Sequence, residues 1–238
     1  MHLSICMATK DKAEYLDRTL ETIRAQKVPF DYEIVIADDG STDNTKQVCE
    51  KWGVEKYTRL INSEYRNPAA ARNVSYKKAE GKIIICQSDD VLHSSEDVIA
   101  TLSGQLRQKE FIIATVYNWD NKAQRRLMLY TGAEWKRNLF FLGSLWRDDL
   151  YAVGGNDEDF VAPGYDDNWF GDCLTKGLKL KARFRSDVIG YHQDHPRSAN
   201  LKALMKPSKV LYARKTLLAR QGKIPWQASG GPWAREML

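Results

Sequence analysis

The sequence predicts an α/β protein: a Rossmann-like, mostly parallel sheet flanked by helices, then an irregular region and a basic helical C-terminal extension. Three observations predict it. Short apolar runs alternate with amphipathic stretches through residues 2–110, the rhythm of a parallel sheet covered on both faces. After Trp119 that rhythm fades into a stretch rich in Gly, Trp and Asp, and from Lys176 onward the chain turns strongly basic.

Each element follows in order. "HLSICMA" (2–8) reads as a strand, and "KAEYLDRTLETIRAQ" (12–26) as a helix, with Tyr15, Leu16, Leu20 and Ile23 at helical spacing. "YEIVIADDGSTDNT" (32–45) is a strand ending in Asp38 and Asp39, then a Gly-Ser turn with helix-capping residues. "VEKYTRLI" (54–61) is the third strand. "NPAAARNVSYKKAEG" (67–81) is a helix with Asn67 as N-cap, Pro68 at its first position and Gly81 at its stop. "KIIIC" (82–86) is the next strand, and "SSED" (94–97) opens a helix running to about Arg107. "FIIATVYNW" (111–119) is again a strand. Residues 120–165 read as irregular with short elements, "DNWFGDCLTKG" (167–177) as a helix, "LKARFRSDVIGYH" (180–192) as strand-like, and the remainder as a helical tail. There is no internal repeat and no low-complexity linker, so one domain with an extension is expected.

Composition bounds the function classes. At 238 residues, 43% hydrophobic and 28% charged, the chain supports a full core and is not disordered as a whole. No run approaches the roughly 18–20 apolar residues that span a bilayer, and Met1 to Cys6 is too short for a signal peptide, so a cytoplasmic protein is expected. Cys6, Cys49, Cys86 and Cys173 are far apart and form no CxxC pair, which favours buried, reduced thiols. The net charge of +5 hides an asymmetry: from Lys176 onward 14 Lys and Arg face three acids, a net of +11, leaving residues 1–175 at −6. The acidic part is expected to hold carboxylate and metal chemistry. The basic tail is either a solvated face or a surface for phosphate, nucleic acid or a peripheral membrane contact.

Open sheets of this kind bind ligands beyond the carboxyl ends of their strands. Asp38-Asp39 and Asp89-Asp90 both fall at such ends. Two acidic pairs converging on one crevice repel unless a cation or a donor-rich ligand lies between them.

In order and spacing, "SICMATKD", "EIVIADDGSTDNT", "NPAAARNVSYKKAEGKIIICQSDD", "AVGGNDEDF", "GYDDNWF" and "YHQDH" together resemble the family 2 inverting glycosyltransferases of the GT-A fold, over roughly residues 2–195. The resemblance implies a GT-A catalytic domain over 1–195, with a nucleotide-binding half (1–110) and an acceptor-side half (111–195), and an extension over 196–238. It implies a UDP-sugar donor and a divalent metal, Mn2+ or Mg2+. It places Ala8, Thr9, Asp11 and Asp39 on the uracil and ribose with Asp38 in support, and Arg72 near the base and pyrophosphate. The family's acidic motif, commonly D-x-D-D, reads Gln87-Ser88-Asp89-Asp90 here; Asp89 is assigned to ribose or metal and Asp90 to metal. A hard divalent cation on such carboxylates neutralises the diphosphate leaving group. Asp167 is the expected general base and Asp166 its neighbour or an acceptor ligand, although aspartates at a helix start are also ordinary caps. Gly154 and Gly155 resemble the family's "GGFDE" loop beside the donor sugar, or are simple turn residues. Trp146, Trp169 and Trp119 are stacking platforms or core. His192 is the expected metal-binding histidine ahead of His195, with a structural role equally open; His2 and His93 stand without company.

Competing readings are a metal-dependent nucleotidyltransferase, for which "ATKDKAEYL" lacks the Gly-rich phosphate loop, and a catalytically silent carbohydrate- or nucleic-acid-binding relative. The acceptor is a glycan or a lipid-linked sugar in the first instance, and the basic tail also admits a modified DNA base.

Overall fold

The computed structural model describes residues 2–61, 67–196 and 199–234; Arg197, Ser198 and residues 235–238 of the expected extension lie outside the described residues. In chain order the elements are β1 (Leu3–Thr9), α1 (Ala13–Arg24), β2 (Tyr32–Asp38), α2 (Thr45–Lys51), β3 (Lys56–Arg59), α3 (Ala69–Lys78), β4 (Ile83–Gln87), β5 (Val91–His93) and α4 (Val98–Gly104). They continue with β6 (Glu110–Asp120), β7 (Arg125–Thr131), β8 (Leu142–Trp146), α5 (Arg147–Val153), α6 (Asp166–Asp172) with a π-helical turn (Cys173–Gly177), β9 (Lys181–Gln193), α7 (Leu201–Leu204) and α8 (Lys206–Arg220).

One sheet holds the chain together in the order β3-β2-β1-β4-β8-β6-β9-β5, with β7 added to β6. β3, β2, β1 and β4 are mutually parallel, as their apolar runs predict. β8 lies between β4 and β6 and runs antiparallel to both. That reversal turns β6, and β9 parallel to it, back into the direction of β4. Consequently the carboxyl ends of β1, β2, β4, β6 and β9 share one edge of the sheet. The residues expected to be irregular thus contribute a central strand. "LGSLW" escapes a sequence reading because it is short, flanked by aromatics and contains Gly143, whose Cβ would meet Ile112 O at 2.6 Å; only the packed sheet explains the glycine.

Strand alternation divides the core. Leu3, Ile5, Met7, Ile34, Ile36, Ile83 and Ile85 point to one face and meet Leu16, Leu20 and Ile23 of α1 and Val98, Ile99 and Leu102 of α4. Cys6, Val35, Ile84 and Cys86 point to the other and meet Tyr76, Leu150, Val153, Trp169 and Phe170. Each such aliphatic side chain removed from water contributes about 1.5–3 kcal/mol. The four cysteines are buried and free. Asn67 caps α3 as expected, its Oδ1 accepting from Ala69 N at 3.0 Å.

Candidate active site

The shared edge opens into a cavity of about 250 Å³ whose lining includes Ala8, Thr9, Asp39, Arg72, Gln87, Asp89, Asp90, His192 and His195. Register explains the meeting of residues a hundred positions apart. β5 pairs antiparallel with β9 so that Val91 lies opposite His192, and Gln193 N donates to Asp90 O at 2.9 Å. The β4–β5 turn therefore carries Asp90 to the end of β9.

Asp90, His192 and His195 form a cluster whose ligand atoms all lie within 4.8 Å of one another. Nε2 of His192 is 3.4 Å from Asp90 Oδ1, and Nε2 of His195 is 3.4 Å from Asp90 Oδ2. The ring Nδ1 of His195 lies 3.1 Å from Pro196 O, which directs Nε2 toward the carboxylate. Lys12 Nζ reaches Asp90 Oδ2 at 2.5 Å and Asp89 Oδ1 at 3.3 Å. Burial opposes the Asp90 charge, yet His192, Lys12 and His195 outweigh it and hold the carboxyl well below its usual range. Burial, with Asp90 alongside, pushes Asp89 up against the pull of Lys12. His195 is raised by its contact with Asp90.

A divalent ion fits this donor set. Asp90 Oδ1 is buried without a hydrogen-bond donor among the described residues, and the carboxylates already draw a cation in the form of Lys12. One carboxylate oxygen and two imidazole nitrogens are ligands of a first-row divalent metal.

A second group lies on the α3 side of the cavity. Arg72 Nη1 contacts Asp167 Oδ1 at 2.7 Å and Asp166 Oδ2 at 3.1 Å. Burial disfavours the guanidinium, but the two carboxylates more than offset it and raise its pKa. Asp167 is pushed up to about 6, chiefly by burial and further by Asp166, against the pull of Arg72. Its side chain is 17% exposed and that of Asp166 7%, so Asp167 is the more open of the pair. Asn67 Nδ2 holds Asp166 Oδ1 at 3.2 Å, fixing the helix start.

The sequence pattern of Glycosyl transferase family 2 matches residues 4–154, more than half of the chain. The chain belongs to glycosyl transferase family 2. Among relatives, it is similar to the glycosyltransferase GlyG of Streptococcus pneumoniae (30% identity; 56% of this chain, 44% of that one). It is also similar to a validoxylamine A glucosyltransferase of Streptomyces hygroscopicus (25% identity; 85% and 58%). It spans about half the length of these relatives. In fold, it is similar to the mannosyltransferase PcManGT of Pyrobaculum calidifontis, solved with GDP-Man and Mn2+ (TM-score 0.66, 20% identity, 94% of this chain and 66% of that one). The same holds for S. aureus TarS 1–349 in complex with UDP-GlcNAc (TM-score 0.65, 18% identity, 92% and 71%).

Several residues singled out in this family 2 chain stand apart from the cavity. Asp38 turns inward, accepting from Ser41 N at 2.7 Å and from Tyr57, and so shapes the "DDGS" turn. Asp11 is exposed and spends Oδ1 on Thr42 N at 2.7 Å. Gly154 and Gly155 do adopt left-handed backbone, φ 77° and 69°, but sit beneath the C-terminal segment: added Cβ atoms would meet Gly231 O at 2.1 Å and the Trp233 ring at 2.3 Å. They are turn residues, not part of the cavity wall. Trp146 packs on the core and donates to Arg107 O, Trp169 is buried, and Trp119 stacks on Tyr191 at 4.3 Å. His2 and His93 have company after all: the His2 ring lies tilted against Phe30, centroids 4.5 Å apart, and His93 Nε2 lies 3.0 Å from Gln87 Oε1.

That last contact accounts for the glutamine in the acidic motif. Gln87 Nε2 donates to Val91 O at 2.9 Å while its Oε1 meets His93. A carboxylate has no proton to offer Val91 O. Burial lowers His93 to about 3, so it is neutral and Gln87 braces the β4–β5 turn without charge. Lys12 and His195 are the cavity residues that sequence reasoning undervalued. The available signal was "YHQDHP": two histidines three apart, just past a strand end.

Proposed function

We propose that this chain transfers a sugar from a UDP-sugar to an acceptor hydroxyl, with inversion, by direct displacement at the anomeric carbon. The observation that carries the reading is the assembly in one cavity of the Asp90–His192–His195 cluster, Asp39 and Asp89, with Arg72 bridging to Asp167. Asp90, His192 and His195 would hold a divalent ion, and Mn2+ suits two imidazoles better than Mg2+, which favours an all-oxygen shell. A divalent ion held there would supply positive charge against the diphosphate leaving group. Thr9, Asp39 and Asp89 present hydrogen-bond groups to the nucleoside. Asp167 takes the proton of the acceptor hydroxyl, and Arg72 holds it in place beside the donor. A carboxylate with a pKa of about 6 is ionised at neutral pH yet more basic than an ordinary aspartate.

Mn2+ in the PcManGT complex and the uridine nucleotide in TarS support the cofactor and donor. The similarity to a validoxylamine A glucosyltransferase and to the poly(ribitol-phosphate) beta-N-acetylglucosaminyltransferase TarS supports a polyhydroxylated acceptor. The test is calorimetric titration of UDP-sugars and GDP-mannose with and without Mn2+, followed by product analysis. Metal-dependent binding of a UDP-sugar and transfer with inverted anomeric configuration are expected. Preference for GDP-mannose overturns the donor assignment, and a retained configuration overturns the mechanism.

A further inference from the structure

From His195 to Arg235 the sequence contains no Asp or Glu. Within that stretch Lys202, Lys206, Lys209, Arg214, Arg220 and Lys223 are exposed, whereas Lys215 is buried against Asp157 and Asp159 at 2.8 and 2.7 Å. α8 spends one face on the protein, where Ser208, Lys215 and Ala219 are buried and Leu211 and Tyr212 pack on the core. Helical spacing aligns Val210, Ala213 and Leu217 on the opposite face. Val210 and Leu217 are 62% and 56% exposed there. Lys206 stands at the N-terminal end of this apolar line, Lys209 and Arg220 flank it on one side and Arg214 on the other.

An apolar line inside a fence of one charge sign narrows the partner. A second copy of the same helix brings cations against cations, which is repulsive. Duplex nucleic acid satisfies the cations but leaves Val210 and Leu217 against a phosphate surface that has nothing for them. An anionic bilayer surface takes both: aliphatic side chains enter the boundary between headgroups and acyl chains while lysines and arginines meet the phosphates.

We propose that the outward face of α8 docks this protein on anionic lipid bilayers. Met205, at the foot of α8, and Leu201 line a cavity of about 450 Å³ that also includes Phe141, His192 and His195. That cavity shares Phe141, His192 and His195 with the candidate active-site cavity.

Co-sedimentation of the full chain with vesicles tests this, comparing pure phosphatidylcholine with phosphatidylcholine mixed with phosphatidylglycerol. Binding to the mixed vesicles only, weakened by salt, is expected. Lys206→Gln with Lys209→Gln is expected to weaken it by roughly twenty-five-fold, about fivefold for each cation near an anionic leaflet. Val210→Ser with Leu217→Ser is expected to abolish the binding that persists in salt. These side chains are exposed, and unchanged melting temperatures confirm intact folding. Hydrogen exchange on the unmodified chain gives a second readout: vesicles are expected to slow exchange along α8. Equal binding to both vesicle types, parental binding by both variants, protection confined elsewhere, or salt-sensitive capture by duplex DNA with none by vesicles each overturns the proposal. No readout here depends on sugar transfer, so the docking and the transfer reading stand or fall separately.

Discussion

Asp167 and Lys12 are where single residues decide behaviour. If Asp167 is the base, its ionised form is the active one, and with a pKa of about 6 the value of kcat/KM falls about tenfold per pH unit below pH 6 and is flat above. Asp167→Asn is expected to leave UDP-sugar affinity intact, lower kcat by roughly 10²–10⁴ and erase that acid limb. A parental pH–rate profile in the variant removes the assignment. Lys12 offers its ammonium to the carboxylates that a divalent ion would neutralise. Lys12→Met is expected to tighten Mn2+ binding without nucleotide by roughly tenfold, about 1.4 kcal/mol, as read by the free-Mn2+ resonance signal. The same variant is expected to melt lower without metal and to recover with it, because Asp89 and Asp90 lose their cation. Asp90 was legible in the sequence as an acid at a strand end. His192 was legible beside it through the motif resemblance; that Lys12 and His195 also face it was not, because those contacts join residues 12, 90 and 195 only after the sheet has closed.

Among the elements, α8 and the segment after it act as a strap across the "GGNDEDF" loop. Lys215 enters that loop with its amine on Asp157, which is fully buried, and on Asp159. Lys215→Ala strips the partner from a buried carboxylate and is expected to cost about 3–5 kcal/mol in chemical denaturation. Gly155→Ala meets both a positive φ and the Trp233 ring, and is expected to cost roughly 2–4 kcal/mol. Since Gly155 lies off the cavity, UDP-sugar affinity in that variant is expected to match the parent; a specific loss of donor binding in a folded variant would return the glycine to the donor site. The glycines themselves were legible as points of special backbone. Their neighbour was not, because Trp233 lies nearly eighty residues further along the chain.

For the whole molecule, the site exists only in the folded chain, so its ligands must stabilise the fold. A UDP-sugar with Mn2+ at a hundred times its Kd adds about 2.7 kcal/mol, which for a chain of this size raises Tm by roughly 5–10 °C. No shift with any nucleotide sugar, metal present, counts against the proposed function. No described helix is long and apolar enough to cross a membrane. By itself the sequence determined the α/β class, the parallel sense of the early strands and the placing of Asp39, Asp89 and Asp90 at strand ends, because strand and helix periodicity and capping are local properties. Only the tertiary structure decided that β8 runs antiparallel through the middle of the sheet, turning β6 and β9 so that His192 and His195 arrive at Asp90. It also decided that Arg72 bridges to Asp167, and that Gly154, Gly155 and Trp146 belong to packing. These depend on strand order and register, which arise from burying both faces of the sheet at once and which no local window of residues encodes.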